Sequence, residues 1–209
     1  VAEPDDEELL DAWKGGDNEA GNDLLGRRFR EITWFFRNKV TNEADVADLV
    51  SQTFLGCLSS RDAFRGETSF RRFLYTIAQN VLREYIRKKT KRSREQMDFG
   101  VVCIDDLTPI SMGSIIMRRR EAQAFVDGLR RIPVTDQIVL ELKYFEGLTG
   151  PEIAETLDIP EGTVRGRLRR GLERLREEVG KSLGDAEKEV APEDVESWAA
   201  DVRALRDAD

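Results

Sequence analysis

The sequence predicts an all-α protein: two helical domains joined by a flexible linker, the second containing a helix-turn-helix. Three observations predict it. Apolar residues recur at helical spacing through most of the 209 residues, and the chain is 35% charged but only 8% aromatic, a composition suited to long exposed helices and not to a sandwich or barrel. The helical period lapses once, over residues 95–116, where Gly, Pro and mixed polar residues show no sustained repeat. Near the C-terminal end, a short capped segment, a tight turn and an arginine-rich segment follow one another. The expected divisions are an N-terminal domain at 1–94, a linker at 95–119, a C-terminal domain at 120–182 and an acidic extension at 183–209.

Taken in order, residues 6–14 read as a short helix stopped by Gly15 and Gly16. Asp17 can cap the next helix, whose expected apolar stripe is Leu25, Phe29, Ile32, Phe36 and Val40. A third helix over 43–58 places Val46, Leu49, Val50 and Phe54 on one face. A polar loop, 60–68, leads to a long helix from Ser69 that buries Phe70, Phe73, Leu74, Ile77, Val81, Leu82, Tyr85 and Ile86. Periodicity returns near Met117 and runs to about Lys181.

Composition removes several function classes. The chain has no histidine, which excludes histidine-based zinc sites, Ser-His nucleophilic catalysis and a histidine pH switch. There is no GxxxxGK[ST] phosphate loop, and no spacing of carboxylates recommends catalysis. No cofactor, metal or catalytic residue is therefore expected. No segment reaches the length of a membrane span, and the acidic N-terminal segment is unlike a signal peptide, so a cytoplasmic protein is expected. Cys57 lies in an apolar helical pattern and is expected as a buried free thiol; Cys103 is far from it in sequence.

Net charge is −8, yet the charge is segregated. Residues 1–60 sum to −7, residues 61–94 to +8, and the tail 184–209 to −6. A second basic cluster holds six arginines against one glutamate between Gly162 and Arg176. Two basic stretches in an acidic chain point to two contacts with polyanions.

The second cluster sits in the helix-turn-helix. Thr149 and Glu152 form a capping box, with Pro151 in a first turn that tolerates it. Ile153, Ala154 and Leu157 belong to the first helix, and Asp158-Ile159-Pro160 makes the turn, Asp158 being suited to left-handed backbone. The second helix turns Val164, Leu168, Leu172 and Leu175 inward, leaving Arg165, Arg167, Arg169 and Arg170 to project. Such a helix fits a major groove; a solvated amphipathic helix is the blander reading.

These residues resemble the promoter-binding domain of extracytoplasmic-function (ECF) sigma factors of bacterial RNA polymerase. Leu129, Pro133, Glu146-Gly147-Leu148, Glu152-Ile153-Ala154 and Ile159 to Val164 stand in register with that family's pattern. Gly166 and Gly171 depart from it, standing where serine and alanine are usual. Each interior glycine costs about 1 kcal/mol relative to alanine, so a looser recognition helix is expected. The N-terminal half resembles the same family through Asp45, Asp48, Leu49, Gln52, Thr53 and Phe54, then Phe64, Gly66, Ser69, Phe70 and Leu74, then Ile77, Ala78, Asn80, Tyr85 and Arg87.

The resemblance implies an alternative sigma factor that binds core RNA polymerase and promoter DNA and assists melting. It implies polymerase contacts at Asp45, Asp48, Leu49, Gln52 and Phe54. It implies −10 element contacts at Phe64, Arg65, Arg71, Arg72, Asn80, Arg83, Arg87 and Lys88, with a flipped base held by the loop. It implies −35 contacts at Thr163, Arg165, Arg167, Arg169 and Arg170. Phe64 reads equally well as a core anchor for its loop. Asp105 and Asp106 read as solvated linker residues. Whether an anti-sigma factor binds is left open.

Residues 192–206 fit a further helix with Val195, Trp198, Ala199, Val202 and Leu205 on one face. It is expected to pack on one of the two domains and tune activity, with masking of a basic surface as one means; an inert extension is the alternative. The competing functional reading is a conventional helix-turn-helix regulator that is not a polymerase subunit. A pure interaction module is disfavoured because it needs no recognition-helix arginines.

Overall fold

The computed structural model describes residues 3–66, 68–92, 120–184 and 192–208. The expected linker, with Cys103, Asp105 and Asp106, lies outside them. The described residues are helical with connecting turns. The helices are α1 (Asp6–Lys14), α2 (Asn18–Arg37), α3 (Glu43–Ser60), α4 (Phe70–Arg92), α5 (Arg120–Arg131), α6 (Val134–Tyr144), α7 (Gly150–Leu157), α8 (Glu161–Leu183) and α9 (Pro192–Ala208), with a 3-10 turn at Arg61–Ala63. Two compact units form, one of residues 1–36 and 42–93, the other of residues 37–41 and 94–209.

In the first unit, α1 begins with a capping box between Asp5 and Glu8 and ends at Gly15, after which Gly16 takes φ +104°. Asp17 caps α2 through the backbone N–H groups of Glu19 and Ala20 at 2.9 and 3.1 Å. Trp13 lies flat against α2, so close that a Cβ on Gly21 would fall 2.5 Å from its ring. The buried face of α2 is Ala20, Gly21, Leu24, Ile32, Phe35 and Phe36. The expected stripe is thus corrected at two places: Leu24 replaces Leu25, and Phe29 is 53% exposed, stacked on Phe54 at 5.9 Å. Thr53 and not Phe54 completes the buried face of α3, its hydroxyl donating to the Leu49 carbonyl at 2.8 Å. Beneath them α4 buries Phe70, Leu74, Tyr75, Ala78, Leu82 and Ile86, whereas Phe73, Ile77, Val81 and Tyr85, expected on the buried face, are half-buried at its edges.

In the second unit, α8 is the spine, packed by α5, α6 and α7. Close approach is built in by glycine. A Cβ on Gly171 would meet Asp136 Cβ at 3.1 Å and Leu140 Cδ1 at 3.2 Å, so Gly171 seats α8 against α6. This corrects the expectation that Gly171 loosens the helix. The unit also contains a buried ion pair. Lys39 pairs with Glu141, which also accepts from Asn38 Nδ2 at 2.7 Å and Gln137 Nε2 at 2.9 Å. Burial pulls the Lys39 ammonium below its ordinary pKa, opposed by the Glu141 charge and its hydrogen bond.

Candidate functional site

The first unit presents two candidate surfaces and the second presents one. In the first, the 3-10 turn carries the chain from α3 toward α4. Phe64 follows it, half-buried, its ring stacked on Phe73 of α4 with centroids 4.5 Å apart and planes 28° from parallel. Lys14 donates to the Phe64 carbonyl at 2.7 Å and its ammonium lies 5.2 Å from the ring centroid. Phe64 is therefore an anchor and a wall at once. The loop borders a cavity of about 470 Å³ whose walls include Ser60, Phe64, Arg65, Thr68, Phe73 and Thr76. That volume suits a planar ring system, and the walls offer an aromatic face, hydroxyls and an exposed guanidinium.

The basic candidates of this unit divide into two groups, of which Arg65 alone is among the cavity walls. Arg65, Arg83, Arg87 and Lys88 are exposed, the last two sharing Glu84 at 2.7 and 3.7 Å. Arg71 and Arg72 are half-buried, and Arg71 pairs with Glu31 at 3.1 Å, continuing a chain from Asp6 through Arg28. Arg71 thus joins α4 to α2. Asn80 is exposed on α4, one turn beyond Thr76, and is not among the cavity walls.

The acidic helix α3 sorts its candidates similarly. Asp48 and Gln52 are exposed. Leu49 is 3% exposed and serves the core, so it supports this surface from inside. Asp45 is turned to α4, accepting from the Tyr85 hydroxyl at 2.7 Å and pairing with Lys89 at 3.3 Å. That hydrogen bond, with the Lys89 contact, holds its carboxyl below the usual range despite some desolvation, while burial and Asp45 together push the Tyr85 phenol up. The sequence reading placed Leu49 and Phe54 on this surface and missed its exposed leucines. Leu55 is 63% exposed and Leu58 49%, and Asp48, Gln52 and Leu55 fall at i, i+4 and i+7 along one exposed stripe. Exposed leucines beside a carboxylate suit a protein partner better than DNA. The signal was present in the sequence as a second apolar stripe on α3.

In the second unit, Glu152 accepts from the Thr149 backbone N–H at 2.8 Å and from its hydroxyl at 2.7 Å, opening α7. Asp158 closes it in the left-handed region (φ 52°, ψ 52°), as its short polar side chain permits. Pro160 then starts α8, whose buried face includes Val164, Gly171, Leu175 and Val179. Leu168 and Leu172 are half-buried. Arg165, Arg169 and Arg170 are exposed, Arg167 and Thr163 half-buried. Arg165 is steadied by Glu161 at 3.0 Å. Asp136, 3% exposed, holds Arg174 at 2.8 Å; burial raises its pKa, opposed by Arg174, Arg170 and Arg167. The result is a cationic face on a helix fixed from behind.

Of the expected tail stripe, Val195, Ala199 and Val202 are buried and Trp198 is half-buried, while the Leu205 side chain lies outside the described ones. Among the described residues, no group of three or more His, Cys, Asp or Glu side chains could hold a metal, and no helix is long and apolar enough to cross a membrane.

Comparison with known proteins follows the same division. Residues 25–92 match the sigma-70 region 2 family, and residues 122–175 match sigma-70 region 4. The chain is 28% identical to the ECF RNA polymerase sigma-E factor of Haemophilus influenzae, over 83% of this chain and 95% of that one. It is equally similar to the Escherichia coli K12 protein of the same name, over 83% and 94%. In fold it is similar to the sigma factor RpoE from Bartonella quintana, solved with the anti-sigma factor NepR (TM-score 0.57, 18% identity, 78% of this chain and 96% of that one). It is similar also to CnrH, solved with the cytosolic domain of CnrY (TM-score 0.59, 22% identity, 88% and 99%).

Proposed function

The chain belongs to the extracytoplasmic-function family of RNA polymerase sigma factors, and we propose that its two surfaces divide a promoter between them. As an alternative sigma factor it binds core RNA polymerase, directs it to specific promoters and assists melting. It is a non-catalytic subunit, and nucleotide chemistry stays with the polymerase. Its place of work in this reading is the cytoplasm, with the polymerase.

The observation that carries the division is the cavity walled by the stacked Phe64–Phe73 pair within the most basic stretch of the chain. A base unstacked from the non-template strand of the −10 element enters it and lies against Phe64, with Arg65 and Thr68 at its edge. Arg83, Arg87 and Lys88 follow the phosphates, and Asn80 meets a neighbouring nucleotide. Arg71 acts at a distance by fixing α4 to α2. Asp48, Gln52, Leu55 and Leu58 bind the polymerase, with Asp45, Leu49 and Phe54 setting the helix beneath them. Arg165, Arg167, Arg169 and Arg170, with Thr163, read or grip the −35 element through the major groove. The RpoE structure contains an anti-sigma factor, and an inhibitor of that kind is an expected partner here.

The test is Phe64→Ala in the reconstituted holoenzyme. Binding of core polymerase is expected to persist while permanganate-reactive thymines in the −10 region disappear. Unchanged melting by Phe64→Ala would remove the cavity from the mechanism.

A further inference from the structure

The region 2 match begins at residue 25, and α1, which precedes it, is tied into the first unit at both ends. At its start, Asp6 accepts from Arg28 Nε at 3.1 Å; Arg28 also pairs with Glu31, which holds Arg71 of α4 at 3.1 Å. At its end, α1 and the loop after α3 hold each other. Lys14 donates to the Phe64 carbonyl at 2.7 Å, and the same ammonium stands 5.2 Å from the centroid of the Phe64 ring. In return, the Arg61 guanidinium lies over the Trp13 ring, 5.3 Å from its centroid, and reaches the Trp13 carbonyl at 3.5 Å. Trp13 is itself immobile, 3% exposed and pressed against Gly21.

These contacts pin the loop at Phe64. Its backbone N–H donates to the Ser60 and Arg61 carbonyls at 3.1 and 3.2 Å, and its carbonyl is taken by Lys14. Two residues further on the chain turns away through Gly66, at φ +76°. The pin therefore comes from outside the loop, from the last turn of α1. Lys14 is half-buried, so water competes less for the carbonyl than at an open surface, and a charged donor makes the stronger kind of hydrogen bond. The consequence follows from where Phe64 stands. An aromatic wall already fixed in place receives a flat ligand without first losing its own freedom, whereas a loose loop has to be ordered by the ligand. Because Lys14 holds the main chain as well as the ring, it sets the height at which the ring stands in the cavity wall.

We propose that Lys14 is a positioning residue for capture of the unstacked −10 base. From α1 it holds the Phe64 carbonyl and ring in the pose that receives the base, and the Arg61–Trp13 contact is the returning half of the latch. Lys14 acts through Phe64 and touches no base itself. The proposal rests on the assignment of the Phe64 cavity to that base.

The experiment uses the full-length chain reconstituted with core polymerase, titrated with the single non-template strand of a −10 element and with copies of it made abasic at one position each. Phe64→Ala identifies the captured base, as the position at which its defect vanishes once the base is absent. Lys14→Met keeps the apolar stem and removes the donor. It should bind the intact strand roughly ten-fold more weakly than wild type, the size expected for one lost charge-assisted hydrogen bond. On the strand abasic at the captured position the two should bind alike, and affinity for core polymerase should be unchanged. Lys14→Arg, which restores both donor and cation, should recover intact-strand binding. Wild-type binding by Lys14→Met where Phe64→Ala is defective would overturn the proposal. So would a defect equal on every abasic strand, or a loss of polymerase affinity, since either marks a general role in the fold. If Phe64→Ala shows no defect on any strand, the cavity assignment itself falls, and the proposal with it. Should Lys14→Met fail to fold, Arg61→Met tests the latch from its other half, with the same outcomes.

Discussion

The Tyr85 hydroxyl donates to the Asp45 carboxylate across 2.7 Å, joining α4 to α3, the helix proposed to meet the polymerase. Tyr85 is the leading cause of the lowered Asp45 pKa, ahead of Lys89. A carboxyl held down in the folded state adds stability above its unfolded pKa, near 3.9. That stability is lost as pH falls through the lower folded value. Tyr85→Phe should therefore move the Asp45 titration up toward the ordinary carboxylate value. Carbon-detected NMR of the Asp45 carboxyl would read it, and an unmoved titration would mean that Lys89 alone holds the charge.

Two glycines on α8 should respond oppositely to alanine. At Gly166 a Cβ meets only the mobile end of Arg170, at 3.2 Å. Gly166→Ala should therefore gain about 1 kcal/mol of helix propensity. At Gly171 the Cβ meets Asp136 and Leu140 at 3.1–3.2 Å. Overpacking of about 1–3 kcal/mol should outweigh the propensity gain there. Thermal melts of the two variants should fall on opposite sides of the wild type.

The exposed arginines of α8 predict a graded salt dependence. Arg169→Ala and Arg170→Ala should each weaken promoter binding by the holoenzyme and lower the salt slope by about 1 if the side chain serves a phosphate. A side chain that reads a guanine should instead leave the slope nearly intact and relax preference at one −35 position. Binding isotherms across a salt series on matched and mismatched promoters separate the two.

Cys57 is fully buried on α3, and burial pushes its thiol pKa up to about 12. In the native protein it should resist thiolate-directed reagents at neutral pH and react promptly after denaturation. Rapid native labelling would show that α3 opens locally.

Much of this was legible in the sequence because the strongest signals are local. The Thr149–Glu152 box and the left-handed Asp158 depend on a few neighbouring residues and one backbone geometry. The misplacements arise where a second helix decides. Leu25 and Leu24 are adjacent, and only packing of α2 makes Leu24 the core residue. Phe29 is drawn outward by Phe54, a partner 25 positions away. Gly171 reads as a weak helix former until Leu140 is seen against it. The pairing of Arg71 with Glu31, 40 positions away, likewise has no signal in local spacing. Periodicity alone showed α9 as amphipathic; it could not show that Arg206 pairs with Glu146.

The most direct test is run-off transcription with purified chain and sigma-free core polymerase on a promoter library. Specific transcripts that vanish when Asp48 and Gln52 are both changed to lysine, with the helical fold retained, are the predicted result. Salt-sensitive DNA binding without any polymerase-dependent transcript would contradict the account and leave a conventional helix-turn-helix regulator.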